Sequence, residues 1–190
     1  MFKGKWLLGL FLIVCASFAA MHAKSGAASN QPPGANTSTE DKYSLQVPNG
    51  LSFSDFRGYE EWQVVAVSQT DKLLKVEVAN PVMMEAYRAG IPGNGKPFPD
   101  GSKIAKIEWK PKKSTEAPFS VNIPESLQDV FFIEKDSKRF PGTKGWAYAQ
   151  FNYDPASGKF TPDGNGATCG FSCHASVAAK DYIFTAYGPR

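Results

Sequence analysis

Leu74-Lys75-Val76-Glu77-Val78 alternates apolar and charged side chains with period two. That is the signature of a strand with one face in the core and one face toward solvent or a site. Working outward, Trp62 to Ser68 (WQVVAVS) reads as the strand before it. Ser52 to Tyr59 reads as a short helix or turn with Ser54 as its cap. Pro81 opens the segment Val82 to Arg88, and proline suits the first turn of a helix that Gly90 would end. Ile91 to Gly101 holds Gly93, Gly95, Pro97 and Pro99, which is turn chemistry; no helix start or P-loop lysine-serine pair follows, so it is not a phosphate cradle. Ile104 to Trp109, Val130 to Glu134 and Gly145 to Tyr153 supply three further strands. In the last of these Trp146, Tyr148 and Gln150 share one face, while Ala147, Ala149, Phe151 and Tyr153 share the other. Asp154 to Gly166 reads as loop, Ala175 to Ala178 as a short helix, and Tyr182 to Tyr187 as a final strand or extended segment. Strands dominate, and the connections are too short for parallel crossovers. The expected fold class is therefore mainly β (α+β): a single antiparallel sheet domain with one or two short helices.

The N-terminus points to export. Met1-Phe2-Lys3-Gly4-Lys5 is a basic start, and Trp6 to Ala20 is an almost unbroken apolar run followed by small residues, with Ala19 and Ala23 as cleavage options. This is the pattern of a secretory signal peptide over residues 1–23, giving a periplasmic location. The run is short for a membrane span, which needs about 20 apolar residues, and an uncleaved anchor is the alternative. Residues 24–42 are rich in Ser, Gly, Ala, Asn, Pro and Thr; they carry too little apolar surface to offset ordering entropy and read as a disordered tether. Residues 43–190 suit one domain. The chain has 21 basic and 18 acidic residues, a net charge of +3, and two of the lysines lie in the leader. The remainder is near neutral and has no basic patch with interleaved aromatics, so nucleic-acid binding has no support.

Cysteine usage sharpens the reading. Of three cysteines and two histidines, Cys15 and His22 leave with the leader. What stays is Cys169-Gly170-Phe171-Ser172-Cys173-His174. Two close thiols followed directly by a histidine read as a covalent haem attachment site: each thiol adds to a haem vinyl group, and His174 ligates the iron. The usual spacing is C-x-x-C-H; here the run is C-x-x-x-C-H. A disulfide loop and a zinc site are the alternatives, the latter lacking further Cys or His ligands. The haem would pack on a sheet face, with the many Phe and Tyr rings excluding water.

Several stretches together resemble the cytochrome P-460 family, which includes the cytochromes c′-β. They are Tyr59-Glu60-Glu61-Trp62 entering the first strand, Asn80-Pro81 opening the helix, and Asp100-Gly101 followed by Lys106. Glu134-Lys135-Asp136-Ser137-Lys138-Arg139-Phe140, Gly145-Trp146-Ala147-Tyr148, Cys173-His174 and Asp181-Tyr182-Ile183-Phe184-Thr185 continue the resemblance to the C-terminus. It implies an antiparallel β domain, usually a homodimer, with one c-type haem per chain and a five-coordinate iron. Members of the P-460 branch oxidise hydroxylamine, and c′-β members bind nitric oxide and other small gases. Lys106 stands where the P-460 branch has a lysine cross-linked to a haem meso carbon; its plainer alternative is a solvated strand lysine on the face of Ile104 and Glu108. Two departures stand out. The extra residue displaces Cys169 relative to the family's first thiol, which leaves attachment through Cys173 alone as an alternative. Lys75 stands in place of the family's arginine on the second strand, keeping a positive charge without the two-pronged geometry of guanidinium. For the distal carboxylate of hydroxylamine oxidisers, Asp163 or Asn165 are the nearest candidates in sequence.

With His174 the only histidine left, bis-histidine ligation within one chain is excluded. Met83 and Met84 could supply a sulfur ligand, although mid-helix methionines more often fill core. An open distal site follows, which suits binding or activating a small molecule. The expected function is a periplasmic mono-haem c-type cytochrome that oxidises hydroxylamine or a related nitrogen compound and passes electrons to a periplasmic acceptor. In it His174 is the iron ligand, Cys169 and Cys173 the anchors, Lys106 the haem modifier, and Lys75 and Asp163 the catalytic aids. A non-catalytic nitric oxide or gas binder with a phenylalanine pocket, and a His/Met electron carrier, are the alternatives.

Overall fold

The computed structural model describes residues 41–48 and 50–190. The expected signal peptide (1–23) and most of the expected tether (24–42) lie outside the described residues. The described chain forms a six-stranded antiparallel meander in which every strand pairs with its neighbours in sequence. The strands are β1 (Gln63–Gln69), β2 (Leu74–Ala79), β3 (Lys103–Lys113), β4 (Asn122–Lys135), β5 (Trp146–Asp154) and β6 (Lys159–Pro162). Two α-helices accompany them, α1 (Pro81–Arg88) and α2 (Gly166–His174), together with five short 3-10 turns. The single antiparallel sheet with few short helices is the fold class expected.

The alternation of each strand sorts side chains between two layers. On one face Val78, Ala105, Val130, Phe132, Ala149 and Phe151 pack under the segment that precedes β1. Phe56 stacks on Phe132 with ring centroids 4.1 Å apart, and Phe53 meets the same ring edge-on at 5.0 Å. Both offset and edge-on pairs suit the ring quadrupoles. The 3-10 turn Phe53–Phe56 that delivers these rings is entered at Ser52, whose N–H donates to Asp55 Oδ2 (3.0 Å). The cap is thus Ser52, not Ser54.

The opposite face carries Ile104, Trp146 and Tyr148 and is covered in part by α1, with Met83, Met84 and Tyr87, by Phe98 and by Ile183 near the C-terminus. Asn80 fixes α1: its Oδ1 accepts from the N–H of Met83 (3.1 Å) and of Lys103 (3.1 Å), tying the helix start to β3. The rest of this face is left for α2 and a cleft.

Three expectations shift. The 154–166 stretch contains β6, a four-residue edge strand ending in Pro162, where proline is tolerated because no further strand needs its N–H. β4 begins at Asn122, well before Val130. Asp181 and Tyr182 both have positive φ, 50° and 64°, and turn the chain; Ile183 to Tyr187 follows without pairing to any strand.

Candidate functional site

The Cys-His run lies on α2, and α2 lies directly on β5. Gly166, Gly170 and His174 fall four residues apart, so they form one stripe down the helix. A Cβ built at Gly166 would stand 3.0 Å from Gln150 Cβ, and one at Gly170 only 2.6 Å from Tyr148 Cβ. The two glycines therefore exist to let the helix touch the strand. Cys169 and Cys173 follow them by three residues, a rotation of about 60° at 3.6 residues per turn. They form a second stripe beside the first. On a helix, spacing by four keeps two side chains on one face as well as spacing by three does. The extra residue in the motif thus leaves both thiols facing the same cleft, and both are free.

That cleft, of about 370 Å³, runs between α2 and the sheet face. Phe131, Ile133, Ile104, Ile183 and Phe184 supply its apolar walls. His174 stands at the α2 side between Tyr148 and Phe184, with ring centroids 4.8 and 4.9 Å away. Its Nδ1 meets the carbonyl of Tyr182. A carbonyl only accepts, so Nδ1 carries the proton and Nε2 keeps its lone pair. Burial, aided by the Lys106 charge, pushes the ring pKa below the ordinary histidine value, and the Tyr182 hydrogen bond opposes this. The neutral ring is the form a metal requires.

The far wall is charged. The register β2–β3 sets Glu77 opposite Lys106 and Lys75 opposite Glu108. Glu108 is almost fully buried, and its Oε1 receives Lys106 Nζ at 2.8 Å and Lys75 Nζ at 3.1 Å. Lys106 Nζ also lies 3.9 Å from the centre of the Phe131 ring. Lys75, Glu77 and Lys106 line the cleft. Glu77 Oε2 is buried without a hydrogen-bond partner. Burial raises the Glu77 pKa above the ordinary carboxylate value, although Lys106 and Lys75 pull the other way. Asp129, opposite Glu108 on β4, is raised too, by burial first and then by the Glu108 charge. β2 and β5 are three strand steps apart, roughly 14 Å at about 4.8 Å per step. His174 from α2 and the charged groups of β2 and β3 thus line one cleft.

Glu108→Gln removes the carboxylate with which both lysines form ion pairs. The expected cost is about 2 kcal/mol, less than for a fully buried pair because both lysines still reach water. Urea unfolding measures it, and an unchanged midpoint would mean that the lysines do not depend on Glu108.

The structure brings five of the six residues singled out from sequence to one cleft: Lys75, Lys106, Cys169, Cys173 and His174. Asp163 is not among the lining residues; its Oδ1 accepts from the Asn165 N–H (2.8 Å) in the turn before α2. Met83 and Met84 lie in the core cluster under α1, 0% and 1% exposed, and do not line the cleft. Among the described residues no group of three His, Cys, Asp or Glu side chains is placed to hold a metal ion. Glu77 and Glu108 were not singled out, although the alternation in Leu74–Val78 already put Glu77 on the face of Lys75.

Two thiols and a lone-pair imidazole, turned from one helix into a cleft with apolar walls on a β-sheet, fit a haem: the imidazole could hold its iron and the thiols its vinyl carbons. The chain belongs to the cytochrome P460 family, whose model matches residues 56–185. It is by that membership a haem-binding cytochrome, and the residues of the cleft fit the group. No curated protein matches the chain.

Proposed function

We propose that the chain is an exported, periplasmic mono-haem c-type cytochrome that oxidises hydroxylamine or a related small nitrogen compound and delivers the electrons to a periplasmic acceptor. The observation that carries this reading is the charged wall: Lys75, Glu77 and Lys106 share one cleft with His174 and both thiols. A store for a neutral gas needs only apolar walls. Oxidising hydroxylamine also requires protons to leave, and a half-buried carboxylate with an unpaired oxygen is suited to receive them.

When bound, haem supplies an electron acceptor and a Lewis-acidic iron. The chain's own residues do the rest. Cys169 and Cys173 would anchor the group as thioethers, and His174 Nε2 would hold its iron. Phe131, Ile133 and Phe184 keep water out. Lys75 and Lys106 hold positive charge where a substrate that has lost a proton is favoured. Glu77 Oε2, rather than Asp163, accepts that proton. Met83 and Met84 are spent on the core and would not serve as iron ligands. The homodimer that the family resemblance implies belongs to the same reading.

The test is the exported protein from cells with a working haem-maturation system. Mass spectrometry of the peptide spanning residues 169–174 should show one haem held through both sulfurs. Hydroxylamine should be consumed with an artificial electron acceptor over many turnovers. A coloured protein that binds nitric oxide tightly but does not turn hydroxylamine over would instead be a gas binder of the c′-β kind.

A further inference from the structure

Lys135 is a lysine only 7% exposed, deep at the end of β4. Its ammonium is fully engaged. It donates to Asp181 Oδ1 (2.9 Å) and Oδ2 (3.1 Å) and to the Lys144 carbonyl (3.1 Å), and it lies 4.7 Å from the centre of the Trp146 ring. Asp181 Oδ2 accepts a further hydrogen bond from the Phe98 N–H (2.8 Å). None of these groups lines the cleft.

Asp181 and Tyr182 are consecutive non-glycine residues in the left-handed region, with φ of 50° and 64°. Side chains disfavour that region, and two in succession persist only where the surroundings over-determine them. Here the sharp turn follows the 3-10 segment Ala175–Lys180 and brings the Tyr182 carbonyl back to His174 Nδ1. The residue whose side chain is clamped by Lys135 directly precedes the one whose carbonyl orients the imidazole.

We propose that the buried Lys135–Asp181 pair is a positioning device for the axial ligand: it holds the strained turn that presents the Tyr182 carbonyl to His174. The carbonyl fixes the ring tautomer and makes Nε2 a stronger donor, as partners behind metal-bound histidines do. This rests on the haem reading for its consequence at the iron, but not for its geometry. Packing offers a competing account of the same turn, because Tyr182 stacks on Phe171 (5.7 Å) and Ile183 is buried.

The experiment compares Asp181→Asn and Lys135→Met with the wild type as holoproteins, by resonance Raman of the ferrous iron–histidine stretch and by the one-electron midpoint potential. Either variant should lower the stretching frequency and shift the ferric-to-ferrous preference about tenfold toward ferrous, about 59 mV for a one-electron couple. The double variant should shift both readouts by less than the sum of the singles, because the two share the Lys135–Asp181 contact. A wild-type frequency and potential in either folded variant overturns the proposal and leaves packing as the cause. If Asp181→Asn does not fold, Lys135→Met decides alone. A wild type without haem would defeat the functional reading but not this one. Nitrogen NMR of the His174 ring then answers: a pure Nδ1–H tautomer that becomes mixed in the variants supports the proposal, and one that stays pure overturns it.

Discussion

Alanine at position 170 is expected to unseat α2 from β5, lowering the thermal midpoint by about 10 °C and abolishing most covalent haem loading. In an exposed helix this exchange would stabilise, since alanine is favoured over glycine by about 1 kcal/mol. The sign reverses here because of space. The new methyl would stand 2.6 Å from Tyr148 Cβ and 2.7 Å from its Cγ, atoms fixed close to the backbone of β5. Tyr148 cannot swing away: its ring is packed against His174 and Phe171. Either the helix lifts or β5 shifts, at about 3 kcal/mol for a core overpacked by one methyl, and each kilocalorie is worth about 2–4 °C in a domain of this size. Lifting α2 also carries Cys169, Cys173 and His174 away from the cleft, so haem content should fall further than stability does. Gly166→Ala, with its closest approach at 3.0 Å to Gln150 Cβ, should show a smaller version of both effects. A Gly170→Ala protein with the wild-type midpoint and full haem content would show that the helix does not rest on the strand.

The same close approach explains what could and could not be read in advance. Period-two alternation in Leu74–Val78 and in Trp146–Gln150 was enough to assign strands and faces, because one side of the sheet is buried and a slip by one residue would turn every side chain over. The Cys-His run was enough to single out the two thiols and the imidazole that line one cleft. The helix under them was harder to see: α2 has two glycines in nine residues and follows a stretch of Pro, Gly and Asp. Only the four-residue stripe Gly166, Gly170, His174 marks it, and that stripe gains meaning once β5 lies beneath. β6 is four residues ending in proline, and the first half of β4 contains Pro124; both break the composition by which strands are recognised. Asp163, beside the motif in sequence, is not among the residues that line the cleft, whereas Glu77 is. Glu77 was not legible there, because the β2–β3 register that pairs it with Lys106 is a tertiary fact that neither strand spells out alone.

Glu77→Gln should therefore reduce hydroxylamine turnover about 100-fold, the lower end of what a positioned acid–base group contributes, while making the protein more stable at neutral pH. Both effects have one cause. Burial makes the carboxylate hard to ionise, and the nearby Glu108 charge adds to this, against the pull of Lys106 and Lys75. A carboxyl whose pKa is raised by folding holds its proton more tightly in the native state than in the unfolded chain. Native stability therefore falls as pH rises from the ordinary carboxylate range through the raised value, and stays lower above it. Glutamine cannot ionise, so its stability advantage over the wild type should be absent at low pH, grow through that window and then level off. Thermal midpoints of the two holoproteins across the acidic-to-neutral range measure this. Activity should run the other way, because the acceptor must be ionised to take a proton. The wild-type kcat/KM profile should rise with pH on an acid limb above the ordinary carboxylate range, and the variant should lack that limb. A loss of turnover with the acid limb intact would move the proton acceptor to another group, with Asp129, also raised by burial, the next to test. A gain in stability without loss of turnover would leave Glu77 a cost that the hydroxylamine reading does not explain.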